Sequence, residues 1–329
     1  ASDVYKRQGI HATTVLIPIL ASLPNVKLIG LASATGASVK PVAKKYRFQY
    51  CTTDYREILQ DDDIDAIIIA TRNSSHAVLT IEALSYGKHV LVEKPLALRE
   101  DELKKIIDVW KENKKILMVG YNRRYAPYTL AVKHFFENRS TAAIAFYRVN
   151  AERIPYTHWI YDQKEGGGRI ISEACHFIDY IQYVLGSEIT SIYVRGIDDT
   201  RREEIMDNFV ISLTLKDGSL GSIIYTTRGA PILPKEYVEI HCEGKTAIIN
   251  NFRVLELISD KGVKRKKNRF SQDKGHKNEL KRFVNAIMEG YFDPIESKLA
   301  IISSLATIKT LESLKTGKVV HINLNDFLV

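Results

Sequence analysis

The chain has 329 residues, 45% of them hydrophobic and 26% charged, and carries a formal net charge of +8. This is a globular composition with enough chain for one large or two ordinary domains. No apolar run reaches the roughly 18–20 residues of a membrane-spanning helix, the longest, around Ala66–Ala70, being strand-length. The opening ASDVYKRQ is too polar and short for a secretory signal. Cys51, Cys175 and Cys242 are scattered without CxxC pairing, which argues against a disulfide framework or structural zinc and fits a cytoplasmic location. The nine histidines form no HxxxH or HExxH array, so no metal site is expected. The densest basic run, Lys261 to Arg269, lacks interleaved aromatics, and no nucleic-acid-binding signature accompanies it. It reads as a solvated loop.

In chain order, the first half alternates strands and helices. Val26–Ser33 is an apolar strand, Ser38–Tyr46 a short helix, and Ile64–Thr71 a continuous apolar run suited to a parallel strand buried on both faces. Ser75–Tyr86 is a helix closed by Gly87. His89–Val92 is a strand, Glu100–Asn113 an amphipathic helix, and Ile116–Gly120 a further strand. The alternation predicts a doubly wound parallel sheet of the Rossmann type. Ligands of such sheets bind beyond the carboxyl ends of the strands, which here carry Ser33-Ala34-Thr35, Thr71-Arg72-Asn73 and Glu93-Lys94-Pro95. The start departs from the dinucleotide fingerprint. Gly9 would be its second glycine and Ala12 its third position, but Arg7 stands where the first glycine belongs. The reading is that the first strand is missing or replaced, with a divergent intact start as the alternative.

From about Ala142 the pattern changes. Ala142–Asn150, Ser191–Arg195, Asn208–Leu215, Leu220–Thr227, Tyr237–Cys242 and Lys245–Ile249 are strand-like, and several are joined by short glycine turns. Such turns predict an open, mainly antiparallel sheet in an α+β domain. A helix at Glu173–Leu185 interrupts the strands, and Asn278–Glu289 and Ser297–Thr316 are helical. The boundary is set at 122/123, giving a nucleotide domain over 1–122 and a substrate-binding and oligomerisation domain over 123–329.

Two motifs carry chemistry: Gly87-Lys-His-Val-Leu-Val-Glu-Lys-Pro95 and Glu165-Gly-Gly-Gly-Arg-Ile-Ile-Ser-Glu-Ala-Cys-His-Phe-Ile-Asp179. Together with Ala70–His76 and Val119–Arg124, in that order and spacing, the chain resembles the Gfo/Idh/MocA oxidoreductases over nearly its whole length beyond Gly9. Its details resemble the C-terminal module of two-part proteins that fuse an alcohol dehydrogenase-like module upstream. The resemblance implies an NAD(P)-dependent enzyme acting on CH–OH groups of a sugar-like or cyclitol-like small molecule, with neither nucleic acid nor membrane as partner. Two alternatives stand beside it: a non-catalytic NAD(P)-binding sensor, and an inactive fragment of a larger two-module enzyme. The open second sheet suggests a homo-oligomer, a dimer or tetramer.

Within that resemblance Lys94, an ammonium at a strand end, is the leading catalytic candidate, able to hydrogen-bond a reacting hydroxyl and stabilise alkoxide charge. His176 matches the family's catalytic histidine and shares a helix face with Glu173 and Tyr180. Where the family carries an aspartate four residues earlier, this chain has Ser172. Glu173 is therefore a substitute partner for the imidazole, and Ser172 can equally be a helix N-cap. Cofactor contacts are expected from Gly9, Ala12, Ser33, Thr35, Thr71, Asn73, His76, Glu93 and Lys94, and substrate contacts from Asn122, Arg124, Trp159, Asp179 and His176. The Ser33–Thr35 end carries no acid for a ribose 2′-hydroxyl and Lys40 is nearby, so the cofactor is NAD or NADP.

Overall fold

The computed structural model describes residues 11–34, 36–197, 206–268 and 271–323. Gly9 and the opening read as lacking its first strand, Thr35 and Arg269 lie outside them. The chain enters as a helix, Ala12–Leu16 with a π-turn and then Ile17–Ala21, whose Leu16, Ile17 and Leu20 are buried. β1 (Gly30–Ala32) pairs in parallel with β2 (Tyr50–Thr52). The strand expected over Val26–Ser33 shortens to three residues. Gly30 lies against the Tyr50 ring, and an added Cβ would come 2.9 Å from it.

β3 (Ala66–Ile69), β4 (His89–Val92) and β5 (Leu117–Val119) form a second parallel sheet in that order. Val90, Leu91 and Val92 are fully buried, as a strand covered on both faces requires. The helices Asn73–Ser85 and Glu100–Asn113 pack beside it, the second with the predicted limits. Among the described residues no strand joins the two parallel sheets.

The second half is one nine-stranded sheet. Its strands are β6 (Ile144–Asn150), β7 (Ile189–Gly196), β8 (Phe209–Leu215), β9 (Leu220–Thr226), β10 (Glu236–Cys242), β11 (Lys245–Asn250), β12 (Val254–Ser259), β13 (Gly262–Lys267) and β14 (Val320–His321). The order is β13-β12-β11-β10-β6-β9-β8-β7-β14, and every pairing is antiparallel except β6 with β9. In β8, Phe209, Ile211, Leu213 and Leu215 are buried while the residues between them face outward. The inner face packs on the helices Cys175–Leu185, buried at every residue, and Pro294–Thr316.

The basic run is not a loop. Its residues 262–267 form the edge strand β13, exposed throughout and paired with β12. Apolar alternation cannot reveal a strand with no buried face. Its lysines leave the open edge charged, which opposes pairing with another chain.

One late element returns to the first half. In the helix His276–Glu289, Leu280, Phe283 and Ala286 share a core with Leu16, Leu20, Leu91 and Met118. Full burial of Leu280 and Phe283 stabilises this docking by about 1.5–3 kcal/mol each. The docking sets the helix's first turn beside the Rossmann edge: Gly275 packs so tightly on Asn122 and Ala126 that a Cβ would lie 2.3 Å from the Asn122 carbonyl oxygen.

Candidate active site

The site is built where the carboxyl end of β4 meets the segment leading into the helix Cys175–Leu185. Lys94 follows β4, its bond to Pro95 is cis, and its Nζ donates to the Ser172 carbonyl at 2.9 Å. This hydrogen bond ties the two halves of the chain together at the leading catalytic candidate. Asn73 Nδ2 donates to Gly166 O and to Ser172 Oγ, both at 2.9 Å, and Ser172 Oγ donates to Gly166 O at 2.7 Å. Arg72 adds an ion pair to Glu165 at 2.7 Å, and Ser74 N donates to Glu165 O at 3.1 Å. Residues 165–172 are thus stitched along the nucleotide-domain edge.

The glycines permit this. A Cβ on Gly166 would come 2.4 Å from the Ile160 carbonyl oxygen, and Gly167 and Gly168 have φ of +75° and +78°. The following turn, Ile170–Ala174, is a π-helix that runs directly into the α-helix. Ser172 lies inside this continuous helical run, so it caps nothing. Its hydroxyl instead closes the Asn73–Gly166 triangle.

His176 is buried next to this segment, its ring 6.2 Å from that of Tyr121, and its Nδ1 has no hydrogen-bond partner among the described residues. Burial, then the charges of Arg123 and Lys94, push its pKa well below the ordinary value. The imidazole is neutral at neutral pH. Glu173 does not partner it. That carboxylate lies 3.6 Å from Arg169 and 3.7 Å from Lys235, and although burial raises its pKa, Lys235, Arg169 and Lys94 together bring it below the usual value. The substitution of Glu173 for the absent aspartate is therefore corrected.

Glu93, half-buried against Gly120, receives His11 Nε2 at 3.2 Å. Burial opposes its ionisation, but the hydrogen bond and charge of His11, with Lys94 and His76, hold its pKa below the usual carboxylate range. It stands as the anion beside the Lys94 cation.

Several expected contacts have other work. His76 is fully buried, with Nδ1 2.7 Å from Pro95 O and Nε2 3.0 Å from Thr71 O, so neither ring nitrogen is left for a cofactor. Arg124 and Asp179 are committed to each other: Nε donates to Oδ2 at 2.8 Å, Nη2 to Oδ1, and both side chains are buried. They fasten the start of the second half to the helix Cys175–Leu185 rather than facing a substrate. Asn122 is buried and donates to Lys274 O at 2.8 Å, which likewise turns it from a cleft. Thr71 keeps the edge position, its hydroxyl accepting from Ser75 at 2.7 Å. Ser33 is half-buried just past β1, and Ala12 opens the first helical turn. Trp159 begins a short 3-10 turn with the Arg72 guanidinium 5.8 Å from its ring centre, so it borders the stitched segment.

Sequence reading missed a second cluster. Glu236, at the start of β10, accepts from Arg123 twice (2.8 and 2.9 Å), from Lys274 (2.7 Å) and from Tyr147 (2.6 Å). It also missed His11, His276 and Glu279. Their partners are distant in sequence, so no local spacing announces them.

Residues 8–121 match the profile of the oxidoreductase family with an NAD-binding Rossmann fold, and residues 140–248 match the GFO/IDH/MocA C-terminal domain. The chain belongs to the Gfo/Idh/MocA family of oxidoreductases. Among curated relatives of this Gfo/Idh/MocA protein, the uncharacterized oxidoreductase YrbE of Bacillus subtilis is 27% identical over 278 residues, covering 82% of this chain and 81% of the relative. The scyllo-inositol 2-dehydrogenase (NAD(+)) of the same organism is 31% identical over 180 residues, 54% of this chain and 52% of the relative. A solved levoglucosan dehydrogenase, in complex with NADH and levoglucosan, has a TM-score of 0.82 at 21% identity and covers 97% of this chain and 96% of its own. YrbE and the levoglucosan dehydrogenase are matched along so much of their own length that neither has room for a second full module. The expected kinship with two-module oxidoreductases finds no support in them. Among the described residues no helix is long and apolar enough to cross a membrane.

Proposed function

We propose that this Gfo/Idh/MocA oxidoreductase transfers hydride between a nicotinamide dinucleotide and a secondary alcohol or ketone of a sugar, a cyclitol or a derivative of one. The observation that carries the proposal is the Lys94 Nζ to Ser172 O hydrogen bond, which brings a strand-end ammonium to the segment bearing a neutral, buried imidazole. Relatives named for scyllo-inositol and levoglucosan support the substrate class.

Among the described residues, Ser33 just past β1, Thr71 and Asn73 after β3, and Glu93 with Lys94 after β4 suit a dinucleotide, and the sequence adds Gly9, Ala12 and Thr35 as candidates. The buried His176 Nδ1, without a hydrogen-bond partner among the described residues, fits a site that expects a ligand nearby. The bound dinucleotide supplies the hydride acceptor or donor. Lys94 Nζ donates a hydrogen bond to the reacting oxygen and offsets its negative charge. His176, being neutral, has a lone pair for the hydroxyl proton. Trp159 offers an aromatic face to a polyol ring. With no carboxylate in the Ser33–Thr35 segment to repel a 2′-phosphate, either NAD or NADP is accepted. The protein works in the cytoplasm as a homo-oligomer joined through the open face of its large sheet, with the division of labour between 1–122 and 123–329.

A second reading, a cofactor-binding sensor, is favoured by one observation: Ser172 and the unpartnered Nδ1 leave His176 without the carboxylate that usually holds it. Incubation with NAD or NADP and a panel of cyclitols and sugars separates the two. Nicotinamide reduction by a panel member supports the enzyme. Tight cofactor binding by isothermal titration without reduction across the panel supports the sensor.

A further inference from the structure

Beside Lys94, four titratable side chains from three distant parts of the chain meet. His11 Nε2 lies 3.2 Å from Glu93 Oε1, and the His11 and His276 rings are 5.4 Å apart. Glu279 lies three residues beyond His276, on the same face of the returning helix. It is fully buried, and neither carboxyl oxygen has a hydrogen-bond partner among the described residues.

A carboxylate without a partner in such a place loses most of its hydration and gains nothing in return. The nearby cations cannot rescue it. Arg124 is already bidentate to Asp179, and Arg123 is bidentate to Glu236. Two anions, Glu93 and Asp179, face it as well. Unpartnered like charges in a dry site repel, so the carboxyl with no partner keeps its proton. Glu93 has His11, Lys94 and His76 to hold it ionised, whereas Glu279 has none of them.

We propose that Glu279 is a carboxylic acid that stays neutral at neutral pH, a positioning residue whose retained proton leaves Glu93 as the anion of the cofactor edge and so preserves the counter-charge of Lys94. It acts through Glu93 and touches neither cofactor nor substrate. Burial, followed by the Glu93 charge, raises the Glu279 pKa well above the usual range, in agreement with this assignment. Ionisation of Glu279 at alkaline pH adds a second negative charge to that edge and weakens its hold on an anionic dinucleotide.

The link to the cofactor rests on the reading under Proposed function; the protonation of Glu279 does not. Infrared spectra of the ligand-free full chain test the second part. At pH 7 the wild type shows the C=O stretch of a neutral carboxylic acid, Glu279→Gln lacks it, and in Glu93→Gln it disappears at lower pH than in the wild type. Absence of the band from the wild type, or its survival in Glu279→Gln, overturns the proposal. The pH dependence of NADH affinity, followed by fluorescence, tests the link. Wild-type affinity falls several-fold as the band titrates, and Glu279→Gln stays flat. The same alkaline fall in both proteins overturns the positioning role while leaving the neutral acid intact. Absence of NADH binding at every pH overturns the positioning role together with the cofactor reading.

Discussion

At the residue scale, the chemistry rests on charges whose partners decide their state. His176 is kept neutral by burial and by the charges of Arg123, Lys94 and Lys274, so its protonation belongs well below the ordinary histidine range. The account predicts that kcat/KM shows no acid limb near pH 6.5 from this residue. In Lys274→Met, with one cation removed, an acid limb moves to higher pH; an unchanged profile would refute that electrostatic role. Glu279 gives an independent test in stability. Its folded pKa is raised, so the unfolded chain releases a proton above about pH 4.3 while the folded chain retains it, and stability is lost as pH rises through that range. Thermal melts of Glu279→Gln therefore show a gain over the wild type at pH 8 that vanishes by about pH 4. Lys94 and His176 could be singled out as candidates because each lies in a dense local motif. For Arg124 and Asp179 the sequence left substrate contact and pairing within the protein both open, because a motif names a residue without saying which way it faces. Their buried bidentate pair is a long-range fact, and Arg124→Ala is expected to cost about 3–5 kcal/mol in chemical denaturation by stranding Asp179.

At the element scale, patterns with a buried face were readable and those without one were not. Glu100–Asn113 and the strands β6 to β11 declared themselves through amphipathic or alternating residues. β13 was read as a loop because all its side chains are exposed, and β12 next to it was passed over. The stitched segment 165–172 was legible as a glycine-rich turn, but its purpose was not. It brings Ser172 O to Lys94 and leaves no room at Gly166. Gly166→Ala forces the segment away from Ile160, at about 1–3 kcal/mol for overpacking. Activity falls more than thermal stability does, and a variant of wild-type activity would show that the tight turn is dispensable.

At the scale of the whole molecule, the alternation of strands and helices followed by short-looped strands was enough to read a Rossmann half and an antiparallel half. It could not show that the helix His276–Glu289 crosses back to pack with Leu16, Leu91 and Met118, because any amphipathic helix offers the same stripe whichever partner it finds. That return delivers His276 and Glu279 to the edge that carries Glu93 and Lys94 and makes the candidate site the product of three distant stretches of chain. The central claim is that the two halves meet at Lys94 to perform chemistry on a bound hydroxyl. Single-turnover nicotinamide reduction by Lys94→Ala, with a substrate found in the polyol panel and cofactor held at saturation, tests it most directly. The account predicts a rate at least ~100-fold below wild type even at saturating cofactor; a wild-type rate would contradict it.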